Sequence, residues 1–429
     1  MRDDIKKRIE AVRYGELPDG FRKEKNIGIG PKDWRAGTIS DVVHSEQRPV
    51  PRPTEPYWRL GIRSWAKGTF HSYVDDPTTV DMDELYEVKE NDLIVNITFA
   101  WEHAIAVAGK EDDGLLVSHR FPTYVFDNEN DPAYYRAVIS QSFFKDMLDN
   151  ISPGGAGRNR VLNRKDFLQL PCYIPPVAEQ HKIAEILSTC DRVIELKQNL
   201  VDELQSLKKT CLAKMFPREG SDVPEVRFPG FTAPWEQQKL GELVQFSKGT
   251  GYSKSDLRES GTPIVLYGRL YTNYETVIAD VDTYAEAKTG SVYSRGGEVV
   301  VPASGESADE ISRASVVEQA GVLLGGDLNI LFPPADLDPA FLAISISNGK
   351  PHDDMARMAQ GKSVVHLHNT DLEKIDLLYP VRAEQARIRS FFERIDTLIT
   401  LHQRDLEAVQ QKKKALMQLL LTGLVRVNT

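Results

Sequence analysis

The sequence predicts a mixed α/β chain built twice. Two similar α/β domains are separated by two long helices packed as a coiled coil, a pseudo-two-fold internal duplication. Three observations carry this. First, "PPVAEQHKIAEIL" (Pro175–Leu187) is nearly repeated as "PVRAEQARIRSFF" (Pro380–Phe392), 205 residues later. Second, the offset holds without a gap: aligning Ala178–Phe216 on Ala383–Leu421 gives 11 identities over 39 positions. They are Ala178, Glu179, Gln180, Ile183, Asp191, Ile194, Leu196, Gln198, Gln205, Lys208 and Lys209, each recurring at +205. Third, the blocks between these stretches open and close alike. A repeat of this kind fixes the architecture before any single element is read.

The repeated stretches read as helices. Each opens after a proline, which pre-sets the first helical turn, and neither contains Gly or Pro until Pro217 and Gly423. In the first, Ile183, Ile186, Cys190, Val193, Leu200, Leu204, Leu207 and Cys211 form a seam, widened by Leu187, Ile194, Val201 and Met215. In the second the stripe is Ile388, Phe391, Ile395, Leu398, Val409 and Leu416, flanked by Phe392, Ile399 and Leu406. A helix of about 38 residues is about 57 Å long, more than one small domain can cover. Two such helices satisfy each other most economically as a coiled coil. Lys197 and His402 interrupt the stripe at one register, as residues that fix pairing do. Cys190 and Cys211 read as small apolar seam residues.

The blocks follow from the same comparison. "DWRAGTISDVV" (Asp33–Val43) and "PWEQQKLGELV" (Pro234–Val244) each place a Trp before a short apolar segment. Strands are expected at Leu93–Ile97, after the Asn91-Asp92 turn, and at Glu298–Val301, after Gly296-Gly297. Polar loops then run to Asp166–Phe167 and Asp371–Leu372, again 205 apart. The organisation is an N-terminal segment (1–32), a first domain (33–175), a first helix (176–217), a linker (218–232), a second domain (233–379) and a second helix (380–424). Diverged interiors on a duplicated frame suggest two binding specificities on one scaffold.

Composition narrows the function. Three cysteines without CxxC spacing argue against a disulfide framework or thiolate metal site. No apolar run of membrane-spanning length occurs, and MRDDIKKRIEAV lacks the apolar core of a signal peptide, so a soluble, cytoplasmic protein is expected. Net charge is −10, and the helical stretches 176–216 and 380–429 carry 0 and +4, which leaves −14 on the rest. An acidic body is a poor unaided grip on DNA, whose binding draws on phosphate neutralisation.

Catalytic signatures are weak. The Pro-Pro pairs at Pro175-Pro176 and Pro333-Pro334 lack the preceding Asn or Asp of an adenine methyltransferase loop. No GxxxxGK[ST] occurs, and "NIGIGP" (Asn26–Pro31) reads as a turn. Glu87, Lys89 and Asp92 offer only a chance nuclease-like triplet, and His366 and His368 have no ligand-spaced partner.

The long repeats "PPVAEQHKIAEIL…KKTCLAKMF" and "PVRAEQARIRSFF…KKKALMQLLLTG" resemble the two helical regions of the specificity (S) subunits of type I restriction-modification enzymes. The stretches "NDLIVNITFAWEHAIAV" and "WEQQKLGELVQFSKGTGYS" are similar to that family's target recognition domains. The resemblance implies a non-catalytic DNA-recognition subunit, each domain reading one half of a split target. It implies two methyltransferase subunits docked on the helices, bringing S-adenosylmethionine. It further implies restriction subunits that bring ATP and Mg. If partners supply much of the phosphate contact, the acidic body is accounted for. The candidate DNA contacts are Arg158, Arg160, Arg164 and Lys165 in the first domain. In the second they are Lys248, Lys254, Tyr267, Arg269 and Lys362. The rival reading is a coiled-coil scaffold presenting two protein-binding domains without nucleic acid.

Overall fold

The computed structural model describes residues 3–154, 160–361 and 364–427. The chain divides into two compact units, Met1–Lys197 with Asp405–Thr429, and Gln198–Arg404. Each unit therefore holds one globular block and a segment of each long helix. Those helices run Val177–Met215 and Arg382–Leu421.

In the first unit a four-stranded sheet has the order 105–107, 93–95, 123–126, 43–45. In the second unit the corresponding sheet is 315–317, 298–302, 328–332, 245–248, with 277–278 added at the 315–317 edge. The strands beginning at Leu93 and Thr123 recur 205 residues on at Glu298 and Leu328. Both expected strands are present, as Leu93–Val95 and Glu298–Pro302. Short runs of Val, Ile and Leu buried on both faces supply the reason, since only a covered sheet tolerates them.

The other sheet of each unit also repeats. Its shared part is 84–87, 116–117, 57–62, 69–74 in the first unit and 293–295, 320–324, 262–265, 284–285 in the second. The central pair is parallel in both, and its neighbours are antiparallel. The fifth strand is attached at opposite edges. Pro49–Pro51 adds beside 84–87 in the first unit, whereas Leu257–Arg258 covers 284–285 in the second.

The helix stripe requires a correction. Val193, Leu200 and Leu207, expected in the seam, are exposed, as is Leu398. The less exposed line of the first helix instead runs 183, 187, 190, 194, 197, 201, 204, 208, 211 and 215, alternating steps of four and three. Adding 205 to each gives the line of the second helix, from Ile388 to Leu420. Two of its members are lysines. Lys197 and Lys208 lay their aliphatic stems along the stripe while their amino groups reach Asp405 (3.0 Å) and Asp396 (2.5 Å). The apolar pattern marks Lys197 as a polar interruption of the stripe and does not mark Lys208.

Those pairs also give direction. In the first unit Lys197 meets Asp405 and Asp191 meets Lys413, so the helix segments there run antiparallel. "NIGIGP" is likewise corrected: Asn26 sits in a turn, but Gly28–Pro31 is a strand paired with Phe21–Glu24. Glycine and isoleucine could extend there because Tyr173 packs against Gly30, where a Cβ would lie 2.5 Å from its ring.

Candidate nucleic-acid interface and the joints that position it

The Glu-Gln pair that opens each long helix is buried in both units. Gln180 accepts a hydrogen bond from the Asp131 amide (2.9 Å) and donates to the Pro175 carbonyl (2.9 Å). Gln385 does the same with the Asp338 amide (2.7 Å) and the Pro380 carbonyl (2.8 Å). Asp131 and Asp338 each cap a short helix with Pro at its first position, Pro132–Ile139 and Pro339–Ile346. One glutamine thus locks a long helix to the capped helix of its globular block.

The glutamates are held by arginines distant in sequence. Arg426, beyond the second long helix, bonds Glu179 (2.7 and 2.8 Å) and also Asp33 (2.9 and 2.8 Å). It keeps Asp33 below the usual carboxylate range. Trp34 donates its indole N–H to Glu179 at 2.9 Å. In the second unit Arg227, beyond the first long helix, grips Glu384 with two bonds of 2.7 Å. There Trp235 Nε1 has no protein partner. Each long helix is therefore fixed at its start by an arginine that follows the other one. Burying a carboxylate is tolerated because its charge is paired and its oxygens are bonded.

The repeated motif is thus a mechanical joint, and its partners went unread because they lie 247 and 157 residues away. A readable signal did exist. "DPAYYRAVIS" (Asp131–Ser140) and "DPAFLAISIS" (Asp338–Ser347) repeat the capped helix, at an offset of 207.

The expected DNA contacts disperse. Arg158 and Lys362 lie outside the described residues. Two others have protein partners. Arg160 is committed to the protein: it donates to the carbonyls of Ser152 and Asp149 (both 2.9 Å), pairs with the Asp149 carboxylate and lies over the Trp101 ring. Arg269 is equally occupied, by Asp282 (2.6 Å), Glu275 (2.8 Å) and the Asp280 carbonyl (3.0 Å). Each ties neighbouring segments of its own unit together.

Arg164 donates to the His119 carbonyl at 2.5 Å, and Lys165 is exposed beside it on the short helix Arg164–Leu168. Asn163 caps that helix and Phe167 buries beneath it, as Leu372 does under Asn369–Leu372 in the second unit. Lys248 is exposed at the end of strand Gln245–Lys248, and Lys254 is exposed on the turn Lys254–Asp256. Tyr267 is half-buried, its ring 6.1 Å from that of Tyr271.

The chance nuclease-like triplet does not assemble. Lys89 pairs with Glu87 at 2.7 Å, while buried Asp92 is gripped by Arg48 at 2.7 Å. Burial outweighs that pairing and pushes Asp92 above the ordinary carboxylate range. His366 and His368 stack face to face, and among the described residues no cluster of metal-ligating groups is present. No helix among them is long and apolar enough to cross a membrane.

Comparison with known proteins places this geometry. The family model for the type I restriction modification DNA specificity domain matches twice, at residues 31–206 and 233–411. The type I restriction enzyme MjaVIII specificity subunit of Methanocaldococcus jannaschii is 24% identical over 435 residues, covering 95% of this chain and 98% of that protein. The putative MjaX specificity subunit of the same organism is 23% identical, at 95% and 99% coverage. Among solved structures, the type I restriction-modification S subunit of M. genitalium has a TM-score of 0.54 at 14% identity, covering 95% of this chain and 99% of that one. Two copies of one fold, each joined to both long helices through a buried Glu-Gln pair, account for the double match. The chain belongs to the type I restriction-modification DNA specificity family and is a specificity subunit that recognises a DNA target.

Proposed function

We propose that this subunit reads a split DNA target, one half-site per globular block, and docks two methyltransferase subunits along the paired long helices. The observation that carries it is a crossed repetition. Asp191 bonds Lys413 in the first unit, and Lys208 bonds Asp396 in the second. Adding 205 to Asp191 gives Asp396, and subtracting 205 from Lys413 gives Lys208. Each pair is thus the other with the helices exchanged, as in a self-complementary two-fold contact. This supports an antiparallel coiled coil with pseudo-two-fold symmetry.

The face of the helices turned from that stripe repeats too. Val193 and Leu398, 205 apart, are exposed, and so are Leu196 (68%) and Leu401 (53%). Val193 with Leu196, and Leu398 with Leu401, lie three apart, so each couple adjoins on its helix surface. Two equivalent apolar patches fit two copies of one partner. Catalysis, with S-adenosylmethionine, ATP and Mg, belongs in this reading to the methyltransferase and restriction subunits.

Co-purification with the methyltransferase tests it. Native mass measurement gives two partners per chain, falling to one with Leu196→Glu or Leu401→Glu and to none with both. Mapping of methylated adenines gives two short sequence elements separated by an unread spacer. A continuous target, or two partners retained by the double variant, contradicts the reading.

A further inference from the structure

The first unit carries an edge that its sister lacks. Strands Tyr57–Ile62 and Thr69–Val74 form a hairpin with six paired positions, and the second strand is the open edge of its sheet. Four consecutive residues of that strand, Phe70 to Tyr73, are exposed. The equivalent strand of the second unit is cut to Tyr284–Ala285 and covered by Leu257–Arg258. An open aromatic edge invites unwanted pairing, and proteins normally blunt it.

Aromatic side chains stand on both faces of the hairpin: Trp58 (51%) and Tyr73 (53%) are exposed on one, Phe70 is exposed on the other beside Gly61, and Trp65 (64%) is exposed at the tip. Two of the five tryptophans of the chain thus stand in solvent on one ribbon. The segment 57–74 holds Arg59, Arg63, Lys67 and His71 but no Asp or Glu, in a chain of net charge −10.

The ribbon is also held rigid. Trp65 and Ala66 sit at φ 65° and 49°, a region costly for side chains of this kind. Their amides are tied to the carbonyls of Glu102 and His103, both at 2.8 Å. Ser64 donates to the Glu102 carboxylate at 2.6 Å, and the Lys145 ammonium lies 5.3 Å from the Trp65 ring. On the face that also carries Trp58 and Tyr73, buried Asp112 bonds His71 and Thr69. Trp58 and Tyr73 face each other across the strands at 5.0 Å. Gly61 lets the Phe70 ring cross the ribbon, since a Cβ there would meet it at 2.3 Å, and Arg63 covers that ring.

We propose that the 57–74 hairpin is the element of the first domain that enters the major groove of duplex DNA. The inference rests on the DNA-recognition reading above and names the part that performs it. A two-stranded ribbon fits the width of that groove. Trp65 and Lys67 at the tip and Trp58 with Tyr73 at the base are the contacts. The ribbon brings Arg59, Arg63 and Lys67 and no carboxylate of its own, with Glu102 and Asp112 bonded to Ser64, Thr69 and His71, so the exposed tip cation Lys67 is its complement to phosphate.

The test uses the assembled complex with its methyltransferase and duplexes carrying the mapped target. Trp65→Gly removes the indole while keeping the left-handed backbone open to it, and Lys67→Ala removes one cation. We expect Trp65→Gly to weaken binding about tenfold, the scale of an interface tryptophan, and to relax choice at one half-site only. Lys67→Ala lowers the slope of log K against log salt by about 0.9. Partner binding and thermal stability stay as in the parent. Unchanged DNA binding with both variants overturns the proposal, as does loss of the methyltransferase with DNA choice intact, which would make the ribbon a protein dock. A parent complex with no sequence preference overturns the DNA reading itself, and the proposal with it.

Discussion

The two units share four strands of their second sheet in the same order and diverge at its edges. In the first unit the 57–74 hairpin is long, aromatic and open; in the second the matching strand is two residues long and covered. The joints behave in the opposite way. Gln180 and Gln385 make the same two hydrogen bonds, and Glu179 and Glu384 are both clamped by an arginine from beyond the other helix. Duplication has kept what positions the blocks and released what the blocks present. The reason is energetic. Changing a buried, paired carboxylate costs several kcal/mol, whereas changing an edge side chain costs little stability and alters what can bind.

The joints themselves differ in redundancy, and that difference can be broken first. Among the described residues Glu384 is bonded by the Arg227 side chain, while Glu179 shares Arg426 with Asp33 and also receives Trp34. Glu384→Ala strands a guanidinium that is only 12% exposed and should cost about 3–5 kcal/mol in denaturant unfolding. Glu179→Ala should cost less, about 2 kcal/mol, because Arg426 keeps Asp33. A double-mutant cycle should couple Glu384 to Arg227 and leave it additive with Arg426.

Acid should act on the second unit through Asp338. Burial alone would raise its pKa, but the Arg382 bond and the Phe341 amide outweigh that and hold it below 3.8. A lowered folded-state pKa means stability that is present above about pH 4 and lost as pH falls through the folded value. Asp338→Asn should cost about 1–2 kcal/mol at neutral pH and flatten the decline below pH 4. Urea midpoints measured between pH 3 and 7 check both.

The smallest effect concerns the helices. Asp191→Lys should cost about 0.5 kcal/mol, because its partner pair is partly exposed, and adding Lys413→Asp should restore it. Asp396→Lys with Lys208→Asp should behave alike in the second unit. Recovery in one unit but not the other, seen in thermal melts, would show that the two crossed pairs are not equivalent.

Much of the frame was legible because repetition is independent of tertiary contacts. The 205 offset located both long helices and aligned Asp166 with Asp371, while the Asn91-Asp92 and Gly296-Gly297 turns located the strands at Leu93 and Glu298. The helix stripe was drawn too wide at Val193, Leu200 and Leu207, which are exposed, and missed Lys208, whose methylenes an apolar pattern does not count. The partners of the candidate DNA contacts were the least legible. Arg160 and Arg269 look free in sequence, and only the fold brings Asp149, Glu275 and Asp282 to them. The segment YWRLGIRSWAKGTFHSYV mixes aromatic and basic residues without one acid, a pattern visible in sequence. Its exposure depends on which strand ends the sheet, and sequence does not state that.

The central claim is that each unit repeats the other's contacts with the helices exchanged. Residues 1–232 test it most directly, because they contain one globular block, one long helix and Arg227. In two such half-chains Asp191 of each can meet Lys208 of the other, and Glu179 can receive Arg227 in place of Arg426. Static light scattering of this half-chain should give the mass of a dimer, and Asp191→Lys should weaken the dimer in a way that Lys208→Asp restores. A well-folded monomer, or a dimer indifferent to both substitutions, would contradict the exchange.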